Sequence, residues 1–441
     1  MNDSVSVIGA GLAGCEAAWQ IAQRGIKVNL YDMKPSKFSP AHKSKNLCEL
    51  VCSNSFKADR IDSAAGLLKE ELRLLNSVVI ECADKCRVPA GGALAVDREK
   101  FSAEVTEKIL DHPLINFVSR EIEKIPREGI TIIAAGPLAS ESISKDIAEL
   151  CSGELSFFDA EAPILTAESI DMTKAFFQSR YDKGDGSDYL NCPLSEEEYE
   201  KFYKALISAE RAPIHGFDVT DPKVYEGCMP VEVMAKRGVD TLRFGPMKPV
   251  GLRIPETGKR PFAVVQLRKE NSEGTLYNMV GFQTNLKFGE QKRVFSIVPA
   301  LKNLEIVRYG VMHRNTFIDS PRLLSSDYSM KENSNLFFAG QITGVEGYME
   351  SVSSGLIAGI NAAFRLLKKD SFHMPKTTIM GALSQYISDE NVLDFQPMGA
   401  NFGIISPLNE VIKDKKMRYN EFARRSISYI KSININEGGQ Q

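Results

Sequence analysis

Two cysteines lie in sequence contexts that could activate a thiol. Cys52 stands among small polar residues and a nearby lysine, in the run ELVCSNSFK. Cys228 follows a glycine and precedes a helix-compatible run that contains Lys236 and Arg237. A thiol near cations or a helix start has a lowered pKa and becomes a better nucleophile. Sequence context alone leaves both cysteines open as nucleophiles or as small buried side chains.

The spacing of the cysteines also raises the question of a metal site. Cys48 and Cys52 are separated by three residues, as are Cys82 and Cys86. Ligand pairs at such spacings can hold zinc or an iron–sulfur cluster. No glycine-rich knuckle lies between Cys82 and Cys86, and eight cysteines in 441 residues are too few for a disulfide scaffold. The sequence therefore favours reduced thiols and predicts no metal.

A glycine-rich turn near the N-terminus predicts a dinucleotide site. It follows an apolar, strand-like run and precedes a helical pattern, which is the context that a G-x-G-x-x-G fingerprint requires. The first glycine permits the tight turn, the second lets the backbone approach a pyrophosphate, and the third lets the helix pack closely. Asp32 ends the next strand-like run and is expected to accept the ribose hydroxyls. The fingerprint consists of Gly9, Ala10, Gly11, Leu12, Ala13 and Gly14.

Two later segments favour FAD over NAD as the dinucleotide. The run Thr131–Pro137 predicts a buried strand that ends in a small-residue turn, and Asn335–Gln341 predicts another. The second continues through several glycines into a predicted helix, Ser351–Leu367. Both resemble the turns that complete the FAD site of two-domain flavoproteins, and no second fingerprint indicates a separate NAD domain. The additional cofactor-binding residues expected here are Gly136, Gly340, Gln341 and Gly347.

These elements imply an α/β fold: a Rossmann-type, glutathione-reductase-like FAD-binding domain, discontinuous in sequence, with an inserted mixed α/β domain. The predicted parts are residues 1–162, the inserted domain at 163–296, and residues 297–441, which end in a basic helix. Within the insertion, alternating apolar residues predict strands, and an acidic start predicts a helix. The predicted strands are Leu165–Met172, Phe262–Leu267 and Leu276–Val280, and the predicted helix is Ser195–Ala209.

Composition is that of a soluble globular protein, with 43% hydrophobic and 25% charged residues. No apolar run is long enough to span a bilayer, and the N-terminus lacks the pattern of a signal peptide, so a cytoplasmic protein is expected. The net charge of −3 calls for a local basic patch if nucleic acid binds. Two such patches occur, although a solvated amphipathic helix also explains the C-terminal one. The candidate RNA-binding cations are Lys236, Arg237, Arg243 and Lys248, and near the C-terminus Arg424 and Arg425.

Taken together, seven segments resemble the folate- and FAD-dependent tRNA (uracil-5-)-methyltransferases, the TrmFO family. The likeness runs from the first strand to the C-terminal helix. This family is related to the larger flavoproteins called GidA or MnmG. The segments are Gly9–Gly14, Glu49–Phe56, Val88–Arg98, Glu226–Glu232, Gly281–Leu286, His313–Thr316 and Ala339–Ser351.

The resemblance implies a complete reaction. Methylenetetrahydrofolate supplies one carbon to C5 of the T-loop uridine of tRNA, reduced FAD supplies electrons, and NADH or NADPH regenerates it. Uracil C5 is a poor nucleophile, and a thiolate that adds to C6 turns the base into an enolate whose C5 can attack. The family pattern implies that Cys228 is this thiolate and that Cys52 is a second active-site cysteine, either a proton acceptor or a guard of the flavin.

The resemblance also implies that His313 stacks on the pterin of folate, although a core or surface histidine remains open. The acceptor stays open too, because some relatives methylate a 23S ribosomal RNA uridine. A flavin-dependent oxidoreductase acting on a small molecule would need neither RNA nor a nucleophilic thiol. We expect tRNA and folate as partners, with no membrane and no stable protein partner.

Overall fold

The computed structural model describes residues 4–39, 42–151, 155–180, 188–213, 229–393 and 395–433. Within these ranges the strands are β1 (Ser4–Ile8), β2 (Lys27–Asp32), β3 (Ser55–Ala58), β4 (Arg87–Val88), β5 (Ala93–Val96), β6 (Ile115–Ser119), β7 (Ile130–Ile133), β8 (Leu155–Ala160), β9 (Ile164–Thr166), β10 (Phe176–Phe177), β11 (Leu190–Leu194), β12 (Ala263–Lys269), β13 (Leu276–Met279), β14 (Ile306–Arg308), β15 (Met312–Phe317) and β16 (Leu336–Phe338). The helices are α1 (Leu12–Ala22), α2 (Ala64–Leu74), α3 (Val78–Lys85), α4 (Arg98–Leu110), α5 (Glu141–Leu150), α6 (Glu196–Ser208), α7 (Val231–Ala235), α8 (Thr241–Phe244), α9 (Phe288–Phe295), α10 (Ser320–Leu323), α11 (Tyr348–Leu366), α12 (Ile379–Tyr386) and α13 (Lys415–Ser432).

A five-stranded parallel sheet in the order β16-β7-β1-β2-β6 forms the first unit. All four residues of the inner strand β7 are buried, whereas β1 and β2 alternate buried residues with half-buried or exposed ones. Strands buried on both faces are expected to lack polar alternation. Because β16 comes from a distant part of the chain and pairs with β7, the sheet is discontinuous in sequence. This confirms the predicted Rossmann-type fold.

Helices α1 and α11 cross at very short range over this sheet. A Cβ atom on Gly355 would lie 2.2 Å from the carbonyl oxygen of Ala13, and one on Gly359 would lie 2.7 Å from that of Ala17. Only glycine permits these approaches, because real Cβ atoms do not come within 3.0 Å of such neighbours. Helix α11 begins at Tyr348, three residues before its predicted start.

A second sheet of six strands, in the order β10-β11-β12-β13-β9-β14, pairs antiparallel throughout. Helix α6 packs on it and begins with a capping box in which Ser195 and Glu198 satisfy each other's backbone N–H groups. The predicted strand Leu165–Met172 is wrong beyond its start. The strand ends at Thr166, and two short 3₁₀ turns follow, because the chain there folds back on Ala300 through the Asp171 N–H.

An antiparallel ribbon joins the two sheets. The chain enters the second sheet through β8 and leaves it through β15, and these two strands pair along their whole length. The edge strand β14 of the second sheet lies beyond residue 296. The division at 162/163 and 296/297 stays a prediction, and we propose moving its second boundary to the β14–β15 connection.

The C-terminal helices are tied to the first unit through Glu71 on α2. This buried carboxylate accepts hydrogen bonds from the N–H groups of Ile379 (2.8 Å) and Met380 (2.9 Å) and from the Ser426 hydroxyl (2.6 Å). The predicted basic helix is present as α13. None of the helices in the described part of the chain has the length and apolar composition needed to cross a bilayer.

Candidate active site

Each glycine of the N-terminal fingerprint has the environment that its predicted role requires. A Cβ on Gly9 would lie 2.3 Å from the Ala134 carbonyl oxygen, and one on Gly14 would lie 1.8 Å from the Gly9 carbonyl oxygen. Gly9 has φ +101°, a conformation that favours glycine. At Gly11, by contrast, a Cβ would meet nothing within 4 Å. The backbone of Gly11 therefore faces open space, where a ligand can come close to it.

Asp32 closes the turn from the far side. Its Oδ2 accepts a hydrogen bond from the Ala10 N–H at 2.8 Å, and its Oδ1 accepts one from the Lys34 N–H at 2.9 Å. Each carboxylate oxygen has a second lone pair, so both can still accept a ribose hydroxyl. Nearby, burial and the charge of Lys34 lower the pKa of His42, whose Nδ1 lies 2.6 Å from the Ser39 hydroxyl oxygen.

Two helix N-termini meet at this site and differ in charge. Neither α1 nor α11 has a side-chain cap, because their N-cap residues are Gly11 and Gly347. The first turn of α1 contains no acidic residue, whereas that of α11 contains Glu350. A helix N-terminus attracts anions, and a carboxylate in its first turn opposes that attraction. The pyrophosphate of a dinucleotide therefore fits α1, and its uncharged end fits α11.

A cavity of about 460 Å³ opens between these elements. Its volume lies within the usual range for small-molecule sites, about 300–1,000 Å³. Ala10 and Gly14 stand behind its wall and shape the turn, so they are not among the lining residues. The predicted residues that line it are Gly9, Gly11, Leu12, Ala13, Asp32, Gly136, Gly340, Gln341, Gly347 and Cys52.

Cys52 lies at the side of this cavity near the start of α11. Its backbone N–H donates to the Tyr348 hydroxyl oxygen at 2.8 Å, and the N–H of Ser53 donates to the same oxygen at 3.2 Å. The Cys52 Sγ lies 3.8 Å from the Ala160 carbonyl oxygen. Burial raises the pKa of Tyr348, so its phenol stays protonated. Tyr348 thus fixes the loop that carries the thiol, a role that its position in the Ala339–Ser351 segment did not reveal.

An ion pair between Arg98 of the first unit and Glu270, beside the second sheet, also holds this loop. The Arg98 guanidinium donates to the carbonyl oxygens of Leu50 (2.6 Å) and Val51 (3.1 Å), directly before Cys52. Its Nε lies 2.5 Å from the Glu270 carboxylate, and the two side chains are only 11% and 4% exposed. Removing either partner would leave the other charge buried and unpaired, which lowers the free energy of unfolding. The ion pair therefore keeps Arg98 in place to hold the loop.

A second clamp holds the residues after Cys52. Arg268 on β12 donates to the Asn54 side-chain oxygen at 2.6 Å and to the Ser53 hydroxyl at 3.2 Å. The Asn54 amide in turn donates to the carbonyl oxygens of Val96 (3.0 Å) and Lys269 (3.1 Å). The cysteine loop is therefore held both by the helices α4 and α11 and by strand β12 of the second sheet. Sequence reasoning found neither clamp, because their members are far apart in the chain.

Cys228 lies outside the described residues, but the chain that follows it reaches the cavity wall. The Val231 N–H donates to the Gln283 carbonyl oxygen at 2.7 Å, and Gln283 lines the cavity. Glu232 is buried and accepts from the Thr284 hydroxyl (2.8 Å) and the Asn285 N–H (2.8 Å). These contacts anchor the start of α7 beside the cavity.

His313 occupies the ribbon between the sheets, where its backbone pairs with Asp159. Two residues further along β15, Asn315 is buried and lines the cavity. The strand that carries His313 therefore borders the site. Its stacking role stays a prediction.

The remaining cysteines behave as buried side chains or weak acids. Burial raises the pKa of Cys82 to about 12, and it raises the pKa of Cys48 and of Cys86 as well. Across the ranges given above, no cluster of three or more histidine, cysteine, aspartate or glutamate side chains could hold a metal.

The candidate RNA-binding cations differ in how far they are engaged. Arg243 stacks on the Phe262 ring at 3.7 Å and pairs with Asp240 at 2.6 Å. Arg425 donates to the carbonyl oxygens of Ser406 and Pro407. Arg424 is 71% exposed and pairs with Glu421 on its own helix. Lys236 and Arg237 are exposed, and Lys248 is half-buried.

Comparison with known proteins gives consistent matches. A family model described as Glucose inhibited division protein A matches residues 4–370. A protein of Acetivibrio thermocellus named methylenetetrahydrofolate–tRNA-(uracil-5-)-methyltransferase TrmFO is 60% identical over 432 residues, 98% of each chain. One of the same name from Halalkalibacterium halodurans is 57% identical over 430 residues, covering 97% of this chain and 98% of that one. The solved structure of Aquifex aeolicus GidA has a TM-score of 0.70 at 14% identity, covering 99% of this chain and 74% of that one, which supports the fold.

Proposed function

The chain belongs to the Glucose inhibited division protein A family and, within it, to the TrmFO proteins, and on this premise we propose that it methylates C5 of a uridine in tRNA. Methylenetetrahydrofolate is the carbon donor, and FAD and NADH or NADPH provide the reducing power. The T-loop uridine is the proposed acceptor, and the cytoplasm is the proposed location. The observation that carries the proposal is the placement of Cys52 in the wall of the same cavity as the dinucleotide fingerprint.

The residues that line the cavity are suited to binding FAD. Gly11 leaves room for a pyrophosphate where a Cβ would project into open space, and Asp32 offers lone pairs to a ribose. When bound, FAD supplies the electrons that convert the transferred one-carbon unit into a methyl group. Gly340 and Gly347 bring the backbone to the cavity with φ +86° and +130°, which suits a close approach to the flat end of the cofactor.

We assign the nucleophile to Cys228. Its thiolate adds to uracil C6, and the electrons of the C5–C6 double bond move into the enolate, which leaves C5 able to attack the methylene carbon. This attack breaks the bond between the methylene carbon and one folate nitrogen, which takes up a proton. Loss of the C5 proton then expels the second folate nitrogen and leaves a methylene group on C5. A hydride equivalent, which reduced FAD would supply, converts this group into the methyl group as the C5–C6 double bond re-forms and the thiolate leaves C6. Cys52 is assigned to the cavity as the second thiol, held next to the place where these steps occur by Tyr348.

The other assigned residues serve the two substrates. His313 is proposed to stack on the folate pterin, since its strand borders the cavity through Asn315. RNA phosphates are proposed to contact the basic side chains, which release counterions on binding. The target base must leave its stack to reach the thiol. The proposed RNA-contacting residues are Lys236, Arg237, Arg243, Lys248, Arg424 and Arg425.

The test is transfer of a labelled methylene group from folate to unmodified tRNA by the FAD-loaded protein with NADPH. We expect label in 5-methyluridine of the T-loop. Label in ribosomal RNA instead would keep the chemistry and change the acceptor. NADPH oxidation without label in any RNA would refute the methyltransferase assignment in favour of a small-molecule reductase.

Thiol variants test the assigned roles. Cys228→Ala is expected to abolish transfer and to keep FAD bound, whereas Cys86→Ala, a half-buried thiol outside the cavity, serves as the control. An RNA with 5-fluorouridine at the target position should form a covalent adduct with the wild type, since fluorine at C5 cannot leave as a proton. Adduct formation by Cys228→Ala would show that another thiol attacks C6.

A further inference from the structure

Phe244 is an exposed aromatic ring on a fixed piece of backbone. Its side chain is 83% exposed at the end of α8, although burying a phenylalanine side chain is favourable by about 1.5–3 kcal/mol. The N–H of Phe244 donates to the Asp240 carbonyl oxygen at 3.2 Å, and the N–H of Gly245 donates to that of Thr241 at 3.0 Å. The turn is therefore held in place while the ring projects into solvent.

The ring lies in a strongly basic part of the chain. Residues 236–260 contain seven basic and two acidic side chains, a net charge of +5, in a protein whose total is −3. The adjacent Arg243 is fixed on the Phe262 ring and by Asp240. Positive charge attracts the phosphates of nucleic acid, and exposed aromatic rings among cations stack on unpaired bases.

This basic surface adjoins the wall of the cavity. Pro246, two residues after Phe244, packs so tightly on Gly281 that a Cβ there would lie 2.8 Å from the proline Cβ. Gln283, two residues after Gly281, lines the cavity, and its carbonyl oxygen accepts a hydrogen bond from the Val231 N–H. The basic surface is thus connected to the cavity wall through these short contacts, and extruding the target base of an RNA leaves the neighbouring bases without a stacking partner.

We propose that Phe244 is a stacking platform for an unpaired nucleobase of the RNA substrate, next to the base that is methylated. The inference rests on the proposed function, because it takes RNA as the substrate. Stacking on the Phe244 ring would supply a part of the affinity for RNA that does not depend on charge. The cations around it supply the salt-dependent part.

The experiment measures the Kd of the FAD-loaded, full-length protein for an unmodified tRNA transcript at several salt concentrations. Phe244→Ala is expected to weaken binding by about 5- to 150-fold, because losing one stacked base costs about 1–3 kcal/mol of binding free energy. The slope of log Kd against log salt should stay unchanged, since the ring carries no charge. Lys248→Gln should instead lower that slope.

Three further variants separate stacking from other effects. Phe244→Trp should keep wild-type affinity, whereas Phe244→Leu, which is apolar but has no π face, should resemble the alanine variant. Leu393→Ala is the matched control, because Leu393 is also 83% exposed but lies beside Asp389 and Glu390. It is expected to bind tRNA as the wild type does.

The outcomes distinguish failure of the inference from failure of the function. Equal Kd and KM for Phe244→Ala and wild type, with methylation intact, would overturn the platform and leave the methyltransferase standing. An unchanged Kd together with a changed oligomeric state would assign the ring to a protein contact and also overturn it. A wild type that neither binds nor methylates RNA would refute both proposals together.

Discussion

Replacing the second and third fingerprint glycines by alanine should have opposite effects on the stability of the apoprotein. Gly11 has φ −78° and ψ −169°, which alanine adopts without strain, and its Cβ would meet nothing within 4 Å. Gly11→Ala should therefore stabilise the apoprotein by about 0.4–1 kcal/mol, because it restricts the unfolded chain. Gly14→Ala places a methyl group 1.8 Å from the Gly9 carbonyl oxygen. It should destabilise the apoprotein by about 1–3 kcal/mol or more, since the packed backbone has to move.

The affinity for FAD should fall in Gly11→Ala even though this variant is not destabilised. The added methyl group of Gly11→Ala occupies the space that the pyrophosphate needs, and overpacking of this kind costs about 1–3 kcal/mol. That corresponds to a loss of affinity of about 5- to 150-fold. The affinity loss therefore appears in a variant whose apoprotein is as stable as the wild type or more so.

Urea unfolding of the apoprotein and fluorescence titration with FAD measure both quantities. Gly289→Ala is the control, because Gly289 lies in helix α9, meets nothing within 4 Å and is outside the cavity. It should gain stability and bind FAD normally. Wild-type FAD affinity in Gly11→Ala would show that the pyrophosphate does not lie at this turn. An unchanged urea midpoint in Gly14→Ala would refute the close packing of α1.

Three other perturbations test the supports of the site. Burial raises the pKa of both Glu71 and Glu16 to about 7, so from pH 4.5 to 7 the folded state keeps two protons that the unfolded state has lost, and the free energy of unfolding should fall as the pH rises. Each carboxyl group contributes about 3 kcal/mol to this fall. Glu71→Gln should therefore remove about half of it in urea titrations, and a pH profile identical to that of the wild type would contradict the argument. Arg98→Met leaves the Glu270 carboxylate buried without a partner and should lower the free energy of unfolding by about 3–5 kcal/mol. Replacing both Arg98 and Glu270 by methionine should restore most of that loss. An Arg98→Met variant as stable as the wild type would refute the proposed role of this ion pair. Tyr348→Phe removes the acceptor of the Cys52 N–H, so alkylation of Cys52 by iodoacetamide, mapped by mass spectrometry, should become faster, and an unchanged rate would show that the hydroxyl does not hold the loop.

The dinucleotide turn could be predicted because each of its requirements is local. Gly9, Gly11 and Gly14 act within a few residues of one another, and Asp32 reaches back to the same turn through the Ala10 N–H. The neighbouring strand β7 is a short run of mainly apolar residues, and its burial follows from that composition. Motif, strand and helix therefore agree within about 30 residues, the length of one βαβ unit.

The predicted boundaries of two elements differ from those in the structure, because the local sequence pattern does not fix where these elements start or end. Helix α11 begins at Tyr348, three residues before its predicted start at Ser351, because its N-cap is Gly347, a residue that offers no side-chain cap. The run Leu165–Met172 alternates like a strand, yet its pairing ends at Thr166, where the chain turns. Neither outcome is encoded in the periodicity of the segment itself.

The supports of Cys52 could not be predicted, because they join residues that are far apart in the chain. Arg98 and Glu270 are 172 positions apart, and the Cys52 N–H and the Tyr348 hydroxyl are 296 apart. A charged residue at the start of a helix, such as Arg98, is expected to be solvated unless its partner is known. Only the packing of the second sheet against the first reveals that Arg98 is 11% exposed and paired.

This long-range support explains why the thiol lies where the two units meet. Tyr348 holds the Cys52 loop to the first unit, and Glu270 and Arg268 hold it to the second. A loop fixed from one side only would follow that unit whenever the two units shifted against each other. Held from both, it is fully constrained only while the second sheet is docked, because undocking removes the contacts of Arg268 and Glu270 and leaves that of Tyr348. We therefore expect unfolding to begin with undocking of the second sheet, which exposes Cys52 before the fingerprint turn opens.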